Sequence, residues 1–226
     1  MRHDAFAVML FAAGFGTRMG ALTADRPKPL VEVAGRPLID HALEVAAGAK
    51  RIVANVHYKP DALAAHLAAR GVAVSREDPI LETGGGLRAA LPLLGEGPVM
   101  TLNTDAVWTG TNPLEQLADV WDADRMDGVL LVSPDHAVGR SAGDFVMDAD
   151  GRLSRARGAS GAVYLGAQIL RTDGLLAITE TVFSLNMLWD RMIAEGRLFG
   201  VVHRGGWCDV GHPAGITEAE AMLARA

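Results

Sequence analysis

Cysteine is almost missing from this chain: Cys208 stands alone, so no disulfide can form within it, which agrees with a reducing compartment. Lysine and arginine form no run and the net charge is −6, which argues against a long polyanion such as DNA or RNA as a partner. No apolar stretch is long enough to span a membrane. The one near the N-terminus, Ala5 to Ala13, follows Asp4 closely and runs into a glycine-rich turn, so it reads as a strand and not a signal peptide. A cytoplasmic protein without a membrane partner is expected. Internal repeats and low-complexity segments are also lacking. His41, His57 and His66 lack metal-ligand spacing, and no His-Glu-x-x-His occurs, which leaves them structural or solvated. Half of the 226 residues are apolar, ample for one domain over 1–226 with a substantial core. No hexapeptide-repeat segment follows it, so an appended β-helix is not expected, and the oligomeric state is not readable from sequence.

What is present centres on the stretch from Phe11 to Leu30. The apolar run before it fits a strand buried on both faces of a parallel sheet. Gly14 and Gly16 then let the backbone take positive φ and approach a ligand closely, so that successive N–H groups can point at phosphate oxygens. Arg18 adds a guanidinium able to grip phosphate bidentately, and Lys28 adds a point charge held between Pro27 and Pro29 on a stiffened segment. Singly, each piece has a plain explanation as a turn or a surface loop. In this order they favour a nucleoside triphosphate site. A dinucleotide fingerprint is excluded because its third glycine is replaced by Met19, and a Walker loop is excluded because no Gly-Lys-Ser/Thr closes the turn.

The rest of the chain alternates between helical and extended patterns, which predicts an α/β layered fold. Helices are expected at Leu38 to Ala49, Pro60 to Arg70, Pro113 to Asp124, Phe183 to Glu195 and Pro213 to Arg225, with another ending near Leu94. Strands are expected at Arg51 to Val56, Val72 to Glu77, Pro98 to Asn103, Gly128 to Val132, Ala162 to Ile169 and Leu198 to His203. A hairpin is expected between Asp144–Asp148 and Leu153–Ala156, turning at Asp150-Gly151. The Asp148-Ala-Asp150-Gly151 cluster superficially suggests calcium but lacks the rest of an EF-hand loop. Glu82-Thr83-Gly84-Gly85-Gly86 reads either as a helix-entry turn or as a flat approach for a planar base. Asp105, just past a strand end, and Asp209, before the last helix, are each either a cap or turn residue or a ligand for a hard cation.

The string from Ala12 to Leu30 resembles the signature of the sugar-1-phosphate nucleotidyltransferases. LETGGGLRAALPLLG, LNTDAVWT, GDF, the SLN-containing helix and GGWCDVG extend the likeness, in order, over nearly the whole chain and point to the short bacterial members. The resemblance implies a three-layer, Rossmann-like, mostly parallel sheet flanked by helices, with a small β-hairpin insertion on the sugar side. It also implies Mg²⁺-dependent transfer of a nucleoside monophosphate from a nucleoside triphosphate to a sugar 1-phosphate, with release of pyrophosphate. UTP with N-acetylmuramate 1-phosphate is the first choice, and GTP with mannose or heptose 1-phosphate the second. A cytidylyltransferase for a phosphorylated alcohol and a molybdenum-cofactor guanylyltransferase share the opening loop. From another class, a catalytically silent nucleotide-sugar sensor stays open.

Residue by residue, the likeness implies that Ala12, Ala13, Gly14, Gly16, Thr17, Arg18 and Lys28 contact the nucleotide, with Arg18 and Lys28 catalytic. Thr83, Gly84, Gly85 and Asn103 complete that set, the first three at the base. Asp105 and Asp209 would hold Mg²⁺. Gly143, Asp144 and, in the SLN string, Asn186 would face the sugar, within a specificity region at 139–166; Gly143 and Asp144 serve equally as a hairpin entry. A sugar 1-phosphate is already largely dianionic near neutral pH, so attack needs no general base and no essential His or Cys. Cys208 reads as a packed small hydrophobe. One departure stands out: Thr104 occupies a position where many relatives have Gly before the metal aspartate.

Overall fold

The computed structural model describes residues 3–134 and 143–226. The N-terminal apolar run forms strand β1 (Ala7–Phe11), in which Val8, Met9 and Leu10 are wholly buried. Two short strands, β2 (Glu32–Val33) and β3 (Arg36–Pro37), lead into helix α1 (Leu38–Val45). Then come β4 (Arg51–Val56), α2 (Pro60–Ala68), β5 (Ala73–Arg76), α3 (Glu82–Leu94) and β6 (Val99–Asn103). After β7 (Ala106–Gly110), α4 (Pro113–Val120) begins with Pro113 at its first position, and the Asn112 side chain accepts from the Leu114 amide at 2.8 Å. The chain continues through β8 (Gly128–Ser133), the hairpin β9 (Phe145–Met147) and β10 (Leu153–Arg155), and β11 (Val163–Leu170). It closes with α5 (Asn186–Ala194), β12 (Leu198–Val202), β13 (Gly205–Asp209) and α6 (Pro213–Leu223).

Seven strands form the main sheet in the order β12-β8-β11-β6-β1-β4-β5. All pair in parallel except β11, which runs antiparallel between β6 and β8. The expected three-layer, mostly parallel arrangement is therefore the observed one. Alternate β1 residues serve opposite layers, as a strand's two-residue period requires. Val8 and Leu10 pack with Ile39, Leu63 and Leu117 of α1, α2 and α4, while Ala7 and Met9 pack with Leu87, Leu188 and Met192 of α3 and α5.

The chain leaves β1 toward β4 and β5 on one side and returns to β6 on the other. The switch point thus lies between β1 and β6, where open α/β sheets collect ligands beyond the strands' carboxyl ends.

Among the differences from the sequence reading, three bear on the site. The glycines at 84–86 sit in the first turns of α3 and not in a loop, because the 181–183 segment lies against them: a Cβ on Gly84 would run into the Phe183 ring. Helix α5 begins at Asn186 rather than Phe183, and Phe183 is instead buried beneath α3. A separate two-stranded ribbon, β7 with β13, was not anticipated. It covers a small third cluster of Met19, Val33, Leu38, Val107, Val210 and Ala219.

Candidate active site

A cavity of about 290 Å³ opens where the ends of β1, β4 and β6 meet the start of α3. Of the residues singled out in the sequence it is lined by Ala12, Ala13, Gly14, Lys28, Thr83, Asn103 and Asp105, and Phe11, Pro29, Asn55, Glu77, Ile80, Glu82 and Thr104 complete its wall. Gly16, Thr17, Arg18, Gly84, Gly85, Gly143, Asp144, Asn186 and Asp209 do not line it.

The loop after β1 is shaped by two unlike glycines. Gly16 alone of the two takes positive φ, +66°, and a Cβ there would lie 2.8 Å from Lys28 Cβ, so glycine lets the loop lie against the lysine stem. Gly14 does not adopt that conformation, contrary to expectation; nothing of the protein lies within 4 Å of where its Cβ would be, and the backbone there is open to a ligand. Met19, the residue that excludes a dinucleotide fingerprint, is 1% exposed and anchors the loop in the cluster under the β7/β13 ribbon.

Lys28 opens a single 3₁₀ turn after extended Pro27. Its stem is buried and its Nζ donates to Asp105 Oδ2 at 2.8 Å. The lysine is therefore aimed at the strand-end carboxylate, across the mouth between the loops that follow β1 and β6. Asp209 arrives by the ribbon: it pairs with Ala106, and the Val210 amide donates to the Asp105 carbonyl at 2.7 Å. Arg18 and Asp209 flank one glycine. A Cβ on Gly211 would meet Asp209 Oδ2 at 2.9 Å and both terminal guanidinium nitrogens of Arg18 at 3.0 Å. Among the described residues no group of three or more His, Cys, Asp or Glu side chains could hold a metal. The β7/β13 pairing brings Asp105 and Asp209 together along the backbone, with Asp105 lining the cavity and its Oδ2 on Lys28, and Asp209 outside that lining.

Three buried polar wall residues were not singled out as contacts in the sequence. Asn55 and Glu77 are 3% and 5% exposed. Asn55 Oδ1 accepts from the Ala12 amide at 2.8 Å, its Nδ2 donates to Glu77 Oε1 at 2.7 Å, and Glu77 Oε2 accepts from the Leu81 amide at 2.8 Å. Both residues stand at the carboxyl ends of expected parallel strands, the one signal that could have marked them. Thr104, singled out only as a departure, is buried and donates from Oγ1 to the Phe11 carbonyl at 2.8 Å. Its hydroxyl thus binds the end of β1. Gly166, at φ +91°, lets β11 pass Asn103: a Cβ there would sit 2.9 Å from Asn103 Cβ.

At the loop expected to meet the base, two backbone donors are engaged within the protein. The amides of Gly84 and Gly85 both donate to the Phe183 carbonyl, at 2.9 and 3.1 Å, so they are not offered to a base. Thr83 does line the cavity, and its Oγ1 accepts from the Leu185 amide at 3.0 Å. On the expected sugar side, Gly143 passes against the Gly161 backbone, and Asp144 Oδ2 accepts from the Tyr164 amide at 2.9 Å. The expected specificity region also contains 139–142, which lie outside the described residues. Asn186 is exposed, and its Nδ2 donates to Ser184 Oγ at 2.9 Å.

The residues read as bland are bland. His41 Nε2 donates to the Val33 carbonyl at 3.0 Å, His57 Nδ1 to the Glu77 carbonyl at 2.9 Å, and His66 Nε2 pairs with Asp40 at 2.7 Å. Asp148 Oδ1 accepts from the amides of Asp150 and Arg152 at 2.9 and 2.8 Å and so builds the hairpin turn. Burial first, then the charges of Glu218 and Asp209, pushes the Cys208 thiol up to about 11, unsuited to a nucleophile. Among the described residues no helix is long and apolar enough to cross a membrane.

A glycine-shaped loop after the first strand, at the switch point of a mostly parallel sheet and faced by a buried lysine on a strand-end carboxylate, defines a nucleotide-binding transferase fold. The chain belongs to the MobA-like NTP transferase family, whose domain matches residues 8–221, and it is a nucleotidyltransferase. It is 44% identical over 234 residues to N-acetylmuramate alpha-1-phosphate uridylyltransferase of Caulobacter vibrioides, covering 96% of this chain and 97% of that protein. The protein of the same name from Neisseria meningitidis is 33% identical, covering 95% and 96%. Mannose-1-phosphate guanyltransferase of Hypocrea jecorina is 34% identical over 135 residues, covering 55% of this chain and 36% of that protein. Among solved structures, HddC from Yersinia pseudotuberculosis complexed with GMP-PN superposes with a TM-score of 0.76 at 21% identity, covering 96% of this chain and 99% of that one, a likeness of fold.

Proposed function

We propose that this protein transfers the uridylyl group of UTP to N-acetylmuramate 1-phosphate, releasing pyrophosphate, in the cytoplasm and in the recycling of cell-wall sugar. The observation that carries this reading is the full-length likeness to the Caulobacter uridylyltransferase at 44% identity. The mannose-1-phosphate guanyltransferase match supports GTP as the second nucleotide to test, but it spans only about half of this chain.

The chemistry assigned to each residue follows from charge and position. An oxygen of the sugar phosphate attacks the α-phosphorus, the bond to the β-bridging oxygen breaks, and pyrophosphate leaves; the attacking group is already anionic, so no base is required. Open backbone at Gly14 and the neighbouring amides receive the phosphates. Lys28, held at the cavity mouth by Asp105, supplies positive charge where charge builds at the reacting phosphates. Arg18 is assigned to the leaving pyrophosphate. Asp105 and Asp209 are the carboxylates we assign to Mg²⁺, which when bound would neutralise phosphate charge. Asn103 and Thr83 are assigned to the nucleoside, and Asp144, Gly143 and Asn186 to the sugar side.

The test is pyrophosphate release over a grid of nucleoside triphosphates and sugar 1-phosphates, with Lys28→Ala as control. Turnover with UTP and N-acetylmuramate 1-phosphate above all other pairs, reduced at least about 100-fold in the control, is the expected result. Preference for GTP with mannose 1-phosphate overturns the substrate assignment. Tight nucleotide binding with no turnover on the whole grid leaves the silent sensor as the reading.

A further inference from the structure

One peptide unit is held from both sides. The ladder of β1 ends at Phe11, and the next peptide, Phe11–Ala12, is where the chain turns from sheet to phosphate loop. Backbone groups at such a point must find partners outside the ladder. Here the partners are side chains of the two flanking strands. Thr104, just beyond β6, donates from Oγ1 to the Phe11 carbonyl at 2.8 Å. Asn55, on β4, accepts the Ala12 N–H on Oδ1 at 2.8 Å. Asn55 is itself fixed by Glu77 at 2.7 Å, and Glu77 by the Leu81 amide, one residue before α3. All three side chains are buried and all three line the cavity.

We infer that Thr104, Asn55 and Glu77 are positioning residues that fix the plane of the Phe11–Ala12 peptide and thereby aim the phosphate loop at the nucleotide. Rotation of that plane would swing every amide downstream of it, Ala13 and Gly14 first, away from the phosphates. Thr104 precedes Asp105, so the same hydroxyl ties the strand carrying the cavity carboxylate to the strand that opens the loop. Glu77 connects the clamp to the entry of α3, so the two ends of the nucleotide pocket share one chain of hydrogen bonds. Glu77 Oε1 also lies where a Cβ on Gly86 would be, which is why that helix position carries no side chain.

The hydrogen-bond polarity supplies a stringent test. Glu77→Gln alone must set an amide NH₂ against either the Asn55 Nδ2 or the Leu81 N–H, donor against donor. Asn55→Asp alone sets carboxylate against carboxylate. The exchange Asn55→Asp with Glu77→Gln restores all three bonds and the net charge: Asp accepts from the Ala12 amide and from Gln Nε2, and Gln Oε1 accepts from the Leu81 amide. Thr104→Val removes the hydroxyl at nearly constant volume, and Thr104→Ser keeps it.

This inference rests on the nucleotidyltransferase reading for its kinetic arm, so binding is measured separately. Calorimetric titration with UTP in Mg²⁺ buffer gives Kd for each variant whether or not a sugar phosphate is turned over. Steady-state kinetics then give KM for each substrate. Thr104→Val, Glu77→Gln and Asn55→Asp are expected to weaken UTP binding about tenfold or more, the scale of one lost or mismatched buried hydrogen bond, and to leave KM for the sugar phosphate unchanged. Thr104→Ser and the exchanged pair are expected to return to within about threefold of the parent. An exchanged pair no better than its worse single variant overturns the relay. A Thr104→Val protein that binds UTP like the parent, or that raises both KM values alike, overturns the clamp. If the parent turns over no sugar phosphate, the binding series decides the clamp by itself.

Discussion

The ammonium of Lys28 and the carboxylate of Asp105 meet at 2.8 Å across the cavity mouth, joining the segment after the phosphate loop to the end of β6. Neither group is free in solvent, and each is held by backbone that the rest of the fold fixes. Lys28 follows a proline and begins a 3₁₀ turn, while Asp105 receives the Val210 amide on its own carbonyl.

Lys28→Ala should therefore reduce turnover by about 10² to 10³-fold, the usual cost of losing one preorganised charge at a reacting phosphate. Circular dichroism should show the helices and sheet intact. A variant with parental pyrophosphate release would remove Lys28 from the chemistry.

Asp105→Asn and Asp209→Asn should each raise the Mg²⁺ concentration needed for half-maximal turnover by at least about tenfold, because each removes one of the two carboxylates proposed for the metal. Chelation of the parent should abolish turnover, and added Mg²⁺ should restore it. An Asp209→Asn protein with an unchanged Mg²⁺ titration would place the metal elsewhere.

Gly16→Ala and Gly14→Ala should separate strain from occlusion. At Gly16 an alanine meets Lys28 Cβ at 2.8 Å and must hold φ +66°, so about 1–2 kcal/mol of stability should be lost along with activity. At Gly14 nothing of the protein lies within 4 Å, so the melting temperature should hold while nucleotide affinity falls. Equal melting temperatures for the two variants would contradict this contrast.

Gly84→Ala should destabilise the fold by about 1–3 kcal/mol by driving a methyl into the Phe183 ring, read by denaturant unfolding.

Cys208→Ala should keep full activity. Because the thiol is raised from 9.0 to about 11, it holds its proton more tightly and less thiolate exists at pH 8. Alkylation at that pH should run roughly 100-fold slower than for an unperturbed thiol of the same exposure. A fast reaction would show the thiol to be activated.

How much of this was legible follows from how local each signal is. Strand β4 was read at its observed bounds, Arg51 to Val56, because a buried run between turn residues reports on itself. That the stretch after β1 lines the cavity was legible for the same reason, as glycines and Pro-bracketed lysine lie within one short stretch. The β7/β13 ribbon was not, since Ala106–Gly110 finds its partner in Gly205–Asp209 and neither segment announces the other. Asn55 and Glu77 were passed over as contacts because a single polar residue at a strand end has no spacing to recognise. At Gly84 and Gly85 the absence of side chains was noticed, but the sequence does not show that the 181–183 segment is what packs against them.

The late pairing of that ribbon also sets an order of events. The phosphate loop, Lys28 and Asp105 all belong to the first half of the chain, whereas Asp209 joins them only when β13 has been made and has found β7. Contacts of such long separation form slowly. A chain cut short before β13 would lack Asp209 and also Val210 and Ala219, which pack with Met19 of the loop after β1, so the second carboxylate and the anchor of that loop would be lost together.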